Sequence, residues 1–220
     1  MRNLDRVLDV GCGSGVITGE LAGRARRGAV GVDRREGILR EAQGRDNGAS
    51  FVLADAARLP FRSAAFDAVV TSFTLMWLGD PGRFLKEAFR VVAPGGLFVA
   101  MAEADYAGAV DYPEEASTRD AAAAAVRAWG GDPEAGRKLP GWLAEAGFEL
   151  VRFGVLNSVW PPRRWAEEEA RELDLLRRLV APVMEGNEIE SAARGRQAAI
   201  AAGTRCYFLP IFFATARNVG

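Results

Sequence analysis

Residues 4–19, LDRVLDVGCGSGVITG, read as a short apolar strand, a glycine-rich turn and the first turns of a helix. Val7, Leu8 and Val10 supply the β-branched and apolar content of a buried strand. Gly11, Gly13 and Gly15 then follow at intervals of two, where a backbone turns sharply and lies against something with no Cβ in the way. That something is read as a ligand. The next strand, AVGVD, ends in Asp33, an acid about 20 residues beyond the turn, placed to accept from the two hydroxyls of a ribose at the carboxyl edge of a parallel sheet.

The choice of nucleoside ligand follows from the spacing. A dinucleotide turn wants Gly-x-Gly-x-x-Gly, but Val16 stands where the third glycine belongs if counting starts at Gly11, and Thr18 if it starts at Gly13. Asp9, just before the turn, suits a ligand carrying an ammonium and a sulfonium better than one carrying two phosphates. The phosphate loop of nucleotide hydrolases is excluded, since no Lys-Ser or Lys-Thr pair follows the glycines. These features point to S-adenosylmethionine.

The stretch LDVGCGSG, then GVD at 31–33, LADAARLPF at 53–61, FDAVVTSFTLMWLGDP at 66–81 and FLKEAFRVVAPGGLFV at 84–99 stand in one unbroken order. Together they resemble the class I S-adenosylmethionine-dependent methyltransferases, in particular the small-molecule branch that includes the ubiquinone and menaquinone biosynthesis enzymes. The resemblance implies an α/β fold with a Rossmann-like, seven-stranded, mostly parallel sheet in a three-layer sandwich. It also implies helical inserts near the carboxyl half, at 104–132 and 161–204, that shape the acceptor site. Members of that family usually carry a helical stretch before the first strand, part of which closes over the cofactor. Here only Met1 to Asp5 precede it. The expected cover is the 104–132 segment, with a partner subunit, as in a homodimer, second.

Length and composition agree with one domain spanning residues 1–220, because a second full domain would leave both cores undersized. With 28 basic and 29 acidic side chains and a formal charge of -1, the average surface offers no pull towards nucleic acid or an anionic membrane. Cys12 and Cys206 are too few for a metal site or a disulfide scaffold, which favours a reducing cytoplasm. No signal peptide is read ahead of the first strand, and no run approaches the roughly 18 apolar residues that span a bilayer.

Taken in order, helices are expected at 15–27, 35–44 and 81–92, and strands at 28–33, 50–53, 66–71 and 97–102. That alternation means a mostly parallel sheet covered on both faces. Beyond residue 103 the pattern loosens. Residues 104–116 carry little periodicity, helices are expected at 117–129, 133–146, 163–181 and 188–202, and strands at 148–159 and 205–216, with Pro210 interrupting the last.

The resemblance assigns Gly11, Cys12, Gly13 and Gly15 to the cofactor turn, Asp9 to the methionine amino group and Asp33 to the ribose, with Arg34 beside it counted as cofactor-binding although Asp33 would repel the 2'-phosphate such an arginine could suggest. It assigns Asp55 and Ala56 to the adenine, and Ser72 and Phe73 to the methionine part beside the reactive methyl. Thr71 and Thr74 are weaker candidates, since their hydroxyls can instead cap the following turn. With no histidine in the chain, the commonest near-neutral base is absent. Glu103, Asp105 and Tyr106, just after the fifth strand, are the catalytic candidates.

Tyr106, Tyr112, Trp160 and Trp165 are expected beside a planar acceptor, whereas Trp129 and Trp142 are expected to seat helices. No metal-ligand set is read. The strand ending T-S-F-T at 71–74 differs from the Asn/Asp-Pro-Pro-Tyr or Phe pattern of amino-directed nucleic acid methyltransferases, which disfavours a nucleic-acid substrate. The sequence therefore reads as a methyltransferase acting on an oxygen or carbon of a small organic molecule. A protein or RNA methyltransferase and a cofactor-binding, non-catalytic regulatory subunit are the alternatives.

Overall fold

The computed structural model describes residues 5–45, 48–156 and 173–220. Its strands are β1 (Val7–Val10), β2 (Ala29–Asp33), β3 (Ser50–Leu53), β4 (Phe66–Ser72), β5 (Val92–Ala104), β6 (Val110–Tyr112), β7 (Phe148–Val155), β8 (Cys206–Phe208) and β9 (Ile211–Asn218). Its helices are α1 (Val16–Ala22), α2 (Glu36–Gln43), α3 (Pro81–Val91), α4 (Arg119–Ala128), α5 (Ala135–Glu145), α6 (173–180) and α7 (Gly186–Ala201). Seven strands form one sheet in the order β3-β2-β1-β4-β5-β9-β7. Only β9 runs against its neighbours, pairing antiparallel with both β5 and β7. This is the doubly wound, Rossmann-like arrangement, with the strand order reversing between β1 and β4.

The alternation of apolar residues builds two layers on this sheet. Leu8, Val10, Val69, Phe98, Ala100, Ala214 and Ala216 face α3 and α5, where Phe84, Leu85, Leu139 and Leu143 close the main core. Val7, Ala29, Ala68 and Val70 point the other way, onto Leu21 and Ala22 of α1. Because parallel strands are covered on both sides, their sequences read as nearly continuous apolar runs. Helix α3 begins sharply for local reasons: Asp80 accepts from the Arg83 amide at 2.9 Å and Pro81 occupies the first turn. Among the described residues no helix is long and apolar enough to cross a membrane.

The carboxyl half departs from the sequence expectation in two places. The strand expected over 205–216 is two strands: β8 pairs antiparallel with β6 in a separate two-stranded sheet, and β9 enters the main sheet. Pro210 lies between them, where a missing amide costs no ladder bond, and its carbonyl accepts from the Asp105 amide at 2.9 Å. The stretch 104–116 is likewise ordered into β6 and short 3-10 turns at Tyr106–Gly108 and Glu114–Ala116. The distal end of the 148–159 strand and the first half of the 163–181 helix, with Trp160 and Trp165, lie outside the described residues.

The small sheet is locked by a buried ion pair. Arg205, with side-chain exposure of 2%, donates to the Asp111 carboxylate, which has none, and to the Tyr112 carbonyl at 2.8 Å. Asp111 also accepts from the Thr118 amide at 2.9 Å, which fixes the start of α4. Removing one partner leaves an uncompensated buried charge, a larger penalty than the pair's own net contribution. Arg205→Ala is therefore expected to lower stability by about 3–5 kcal/mol in urea titration, and Arg205→Met combined with Asp111→Leu to recover most of that loss.

Candidate cofactor and acceptor site

The site starts from the turn after β1. Gly11, Gly13 and Gly15 all adopt positive φ, at 76°, 52° and 76°, which L side chains rarely adopt. Two of the three have a further reason. A Cβ on Gly11 would stand 2.2 Å from Oγ1 of Thr74, and one on Gly15 2.6 Å from the Phe51 ring, so both are required by packing. At Gly13 the nearest atom would be Cδ1 of Ile38 at 3.8 Å. That is ordinary van der Waals separation, so at Gly13 the backbone conformation and not crowding calls for glycine.

Beneath the turn sit two buried acids. Asp33, at the end of β2, accepts from the Gly13 amide at 3.0 Å and from the Arg35 amide at 2.9 Å, so the turn and the second strand share one carboxylate. Asp9 is 2% exposed and accepts from the Thr18 hydroxyl at 2.6 Å. Burial raises its pKa to about 6, the Thr18 bond opposes the rise, and the charge of Asp33 adds to it. Cys12 lies half-buried in the same turn, and burial with the fields of Asp9 and Asp33 pushes its thiol up to about 12.

Asp55 and Ala56 begin the crossover from β3 to β4. Asp55 is exposed and accepts from the Ala57 amide at 2.9 Å. The crossover is held against α3 by Arg90, which donates to the carbonyls of Phe61 at 2.7 Å and Leu59 at 3.1 Å. Glu87 completes the clamp by accepting from the Leu59 amide at 2.8 Å.

The opposite wall is the turn after β4. Phe73 has φ of 50°, an unfavourable region for a bulky residue, and its amide donates to the Ala102 carbonyl at 2.7 Å. Glu103 accepts from the amides of Thr74 at 2.9 Å, Leu75 at 3.0 Å and Met76 at 3.4 Å, capping the short 3-10 turn Leu75–Trp77. It is fully buried, and burial raises its pKa to about 7 against the lowering effect of the three amides.

These walls enclose a cavity of about 500 Å³. Of the sequence-derived candidates, Gly11, Asp33, Arg34, Asp55, Ala56 and Phe73 line it. Asp9, Cys12, Gly13, Gly15 and Ser72, in the adjoining strand ends and turns, are not among the lining residues. The catalytic candidates are engaged elsewhere. Glu103 holds the 74–76 amides, and Asp105 accepts from the Gly108 amide at 2.9 Å and pairs with Arg137 at 2.5 and 2.7 Å. Tyr106 packs with Met76, Ala104, Val126 and Ala135. None of the three is among the lining residues. Tyr112 is exposed on β6.

Sequence reasoning missed Trp129 and Leu179, which close the cavity from the carboxyl-half inserts. Trp142 does seat its helix, packed against the core, but Trp129 is 59% exposed and its Nε1–H donates to the Leu179 carbonyl at 3.1 Å. The glycine pair at 130 and 131 right after it was the available signal of a chain reversal at that ring.

A family model described as a methyltransferase domain matches residues 8–100. An uncharacterized methyltransferase of Schizosaccharomyces pombe is 34% identical over 204 residues, covering 86% of this chain and 71% of the relative. A demethylmenaquinone methyltransferase of Clavibacter sepedonicus is 39% identical over 98 residues, covering 43% of this chain and 40% of that protein's length. Among solved structures, an S-adenosylmethionine-dependent methyltransferase from Mesorhizobium loti superposes with a TM-score of 0.61 at 18% identity, over 98% of this chain and 91% of that one.

Gly11 and Gly13 are expected to respond differently to alanine. Gly13→Ala meets Ile38 only at ordinary van der Waals distance and carries mainly the left-handed backbone cost of about 1–2 kcal/mol. Gly11→Ala adds a collision with Thr74 and should exceed that loss clearly in thermal or urea melts. Glu103→Ala, which leaves three turn amides without their acceptor, should cost at least about 2 kcal/mol, with Glu103→Gln intermediate because one acceptor oxygen remains.

Proposed function

The chain belongs to the class I S-adenosylmethionine-dependent methyltransferases, and from that premise we propose that it moves the methyl group of S-adenosylmethionine to an oxygen or carbon nucleophile of a small organic molecule. The observation that carries the reading is the division of the cavity. Asp33 and Asp55 come from the ends of β2 and β3, on one side of β1, and Phe73, Trp77 and Leu78 follow β4, on the other, where Gly131 packs on Trp77 beside Trp129 and Leu179.

The residues at the acid end fit the cofactor. A carboxylate has about four acceptor directions, so Asp33 can receive ribose hydroxyls in addition to its two amides, and Asp55 an exocyclic amine in addition to Ala57. Asp9, behind Gly11, contributes negative field towards an ammonium. When bound, S-adenosylmethionine supplies a methyl group already activated on sulfonium. The protein's part is then to orient, exclude water and manage a proton.

The small-molecule assignment is supported by the wall's charges. Its cationic side chains are Arg34 and Arg35, both beside Asp33, so the aromatic end offers no counter-charge to a polyanionic chain. The oxygen or carbon assignment is supported by the chemistry missing from that end: the chain has no histidine, and Glu103 and Asp105 are committed to other donors. An acceptor whose own hydroxyl or carbon acid ionises near neutral pH needs no strong base from the wall.

Turnover tests the proposal directly. Incubation of the purified protein with S-adenosylmethionine and a panel of small phenols, enols and carbon acids is expected to release S-adenosylhomocysteine, and RNA or protein acceptors are expected to release none. Product from the macromolecular acceptors alone would overturn the substrate class, and binding without turnover on any acceptor would favour a non-catalytic subunit.

The raised pKa of Asp9 gives a second expectation. An acid whose pKa is higher in the fold than in the unfolded chain favours the fold when protonated, so the unliganded protein gains stability as pH falls through about 6. A cationic ligand needs the ionised form. Cofactor affinity measured by calorimetry should therefore fall by up to about tenfold per pH unit below about pH 6, and Asp9→Asn should flatten that slope.

A further inference from the structure

Resting on the methyl-transfer reading, we infer that the aromatic end of the cavity, built by Phe73, Trp77, Trp129 and Leu179, is the acceptor subsite and takes a planar ring system without anionic charge that carries the reacting hydroxyl or carbon.

The first argument is where the exposed aromatic surface gathers. Phe66, Phe84 and Phe98 are buried to within 1%, whereas Phe73, Trp77 and Trp129 are 46%, 37% and 59% exposed and all line one cavity, while Tyr112 on β6 and Phe153 on β7 are exposed outside it. Large apolar rings left in water are unfavourable singly, and their convergence on one concave surface marks a place that a ligand covers. Phe73 projects from a left-handed backbone position, at φ of 50°. Strain of this kind persists only where surrounding bonds hold it, and here the amide of Phe73 is tied to Ala102.

The second argument concerns what these rings can offer. An indole has a single donor, and that of Trp129 is already engaged by the Leu179 carbonyl. Trp129 therefore presents only its π-face and hydrocarbon edge to the cavity. The charged lining residues, Asp33, Arg34, Arg35 and Asp55, come from β2, β3 and the turns after them, on the far side of β1 from Phe73 and Trp77. An anionic group lodged against the faces of Phe73, Trp77 and Trp129 would lose water and meet the negative side of each ring, a net cost.

The third argument is rigidity. A Cβ on Gly131 would stand 3.0 Å from the Trp77 ring, and the Asp132 amide donates to the Met76 carbonyl at 2.8 Å. Thus both tryptophans are held by one short turn, 129–132, against the turn that Glu103 caps. Two fixed ring faces favour a flat partner over a puckered one, because offset stacking requires planar overlap.

The test uses 2-naphthol as the planar probe and 2-decalol as its saturated, puckered counterpart, each titrated by calorimetry into protein saturated with S-adenosylhomocysteine. Wild type is expected to bind 2-naphthol about tenfold more tightly than 2-decalol. Trp129→Ala should weaken 2-naphthol about tenfold while changing the S-adenosylhomocysteine dissociation constant less than about twofold. Trp129→Phe, which keeps a ring but loses the bond to Leu179, should fall between. Retained S-adenosylhomocysteine binding shows that each variant is folded.

Equal affinity for the two probes, or no binding of 2-naphthol to wild type, would overturn the planar-ring assignment. A Trp129→Ala loss confined to S-adenosylhomocysteine would assign the aromatic end to the cofactor's own base and overturn the subsite. Failure of wild type to bind S-adenosylhomocysteine at all would instead strike the methyl-transfer reading, so the two failures are distinguishable.

Discussion

The cavity's far wall depends on one carboxylate that has no contact with solvent. Glu103, at the end of β5, gathers the amides of Thr74, Leu75 and Met76 and so fixes the turn that leaves β4. From that turn Thr74 leans onto Gly11, and Met76 receives the Asp132 amide. Trp77 is in turn packed against Gly131. The tie therefore reaches the glycine turn on one side and the turn at 129–132 on the other. Desolvating a carboxylate is expensive, and three converging donors are the condition under which a fold tolerates one.

Legibility in the sequence followed the range of the interactions. Strands β1 to β5 and their helices were readable because each is announced locally, by β-branched runs, glycines after strand ends and the Asp-Pro start of α3. The small β6–β8 sheet was not. Its strands are three residues long and its lock joins Asp111 to Arg205, 94 positions away, so no local period signals it. Pro210 was visible as a break but not as the point where the chain passes from one sheet to another.

The same distinction runs through the site. The glycines, Asp33 and Asp55 adjoin strand ends, and the parallel sheet carries every such end to one edge. Glu103 was recognisable as an acid at that edge. Its employment as a cap could not be read, since it depends on which backbone lies across from it. Trp129 looked like Trp142, an aromatic on a helix, and only tertiary placement separates the ring that packs in the core from the ring that closes a cavity.

Cys12 has a consequence for chemical selectivity. In the proposed arrangement a thiol in the glycine turn lies close to an alkylating agent, and sulfur nucleophiles are among the most reactive side chains towards such agents. Reactivity belongs to the thiolate rather than the thiol. Burial and the neighbouring charges of Asp9 and Asp33 push the thiol up to about 12, so near neutral pH it stays protonated and inert. The acids suited to a cationic donor thereby also protect the protein from modifying itself, and replacing either with a neutral side chain would weaken that protection as well as the grip on the ligand.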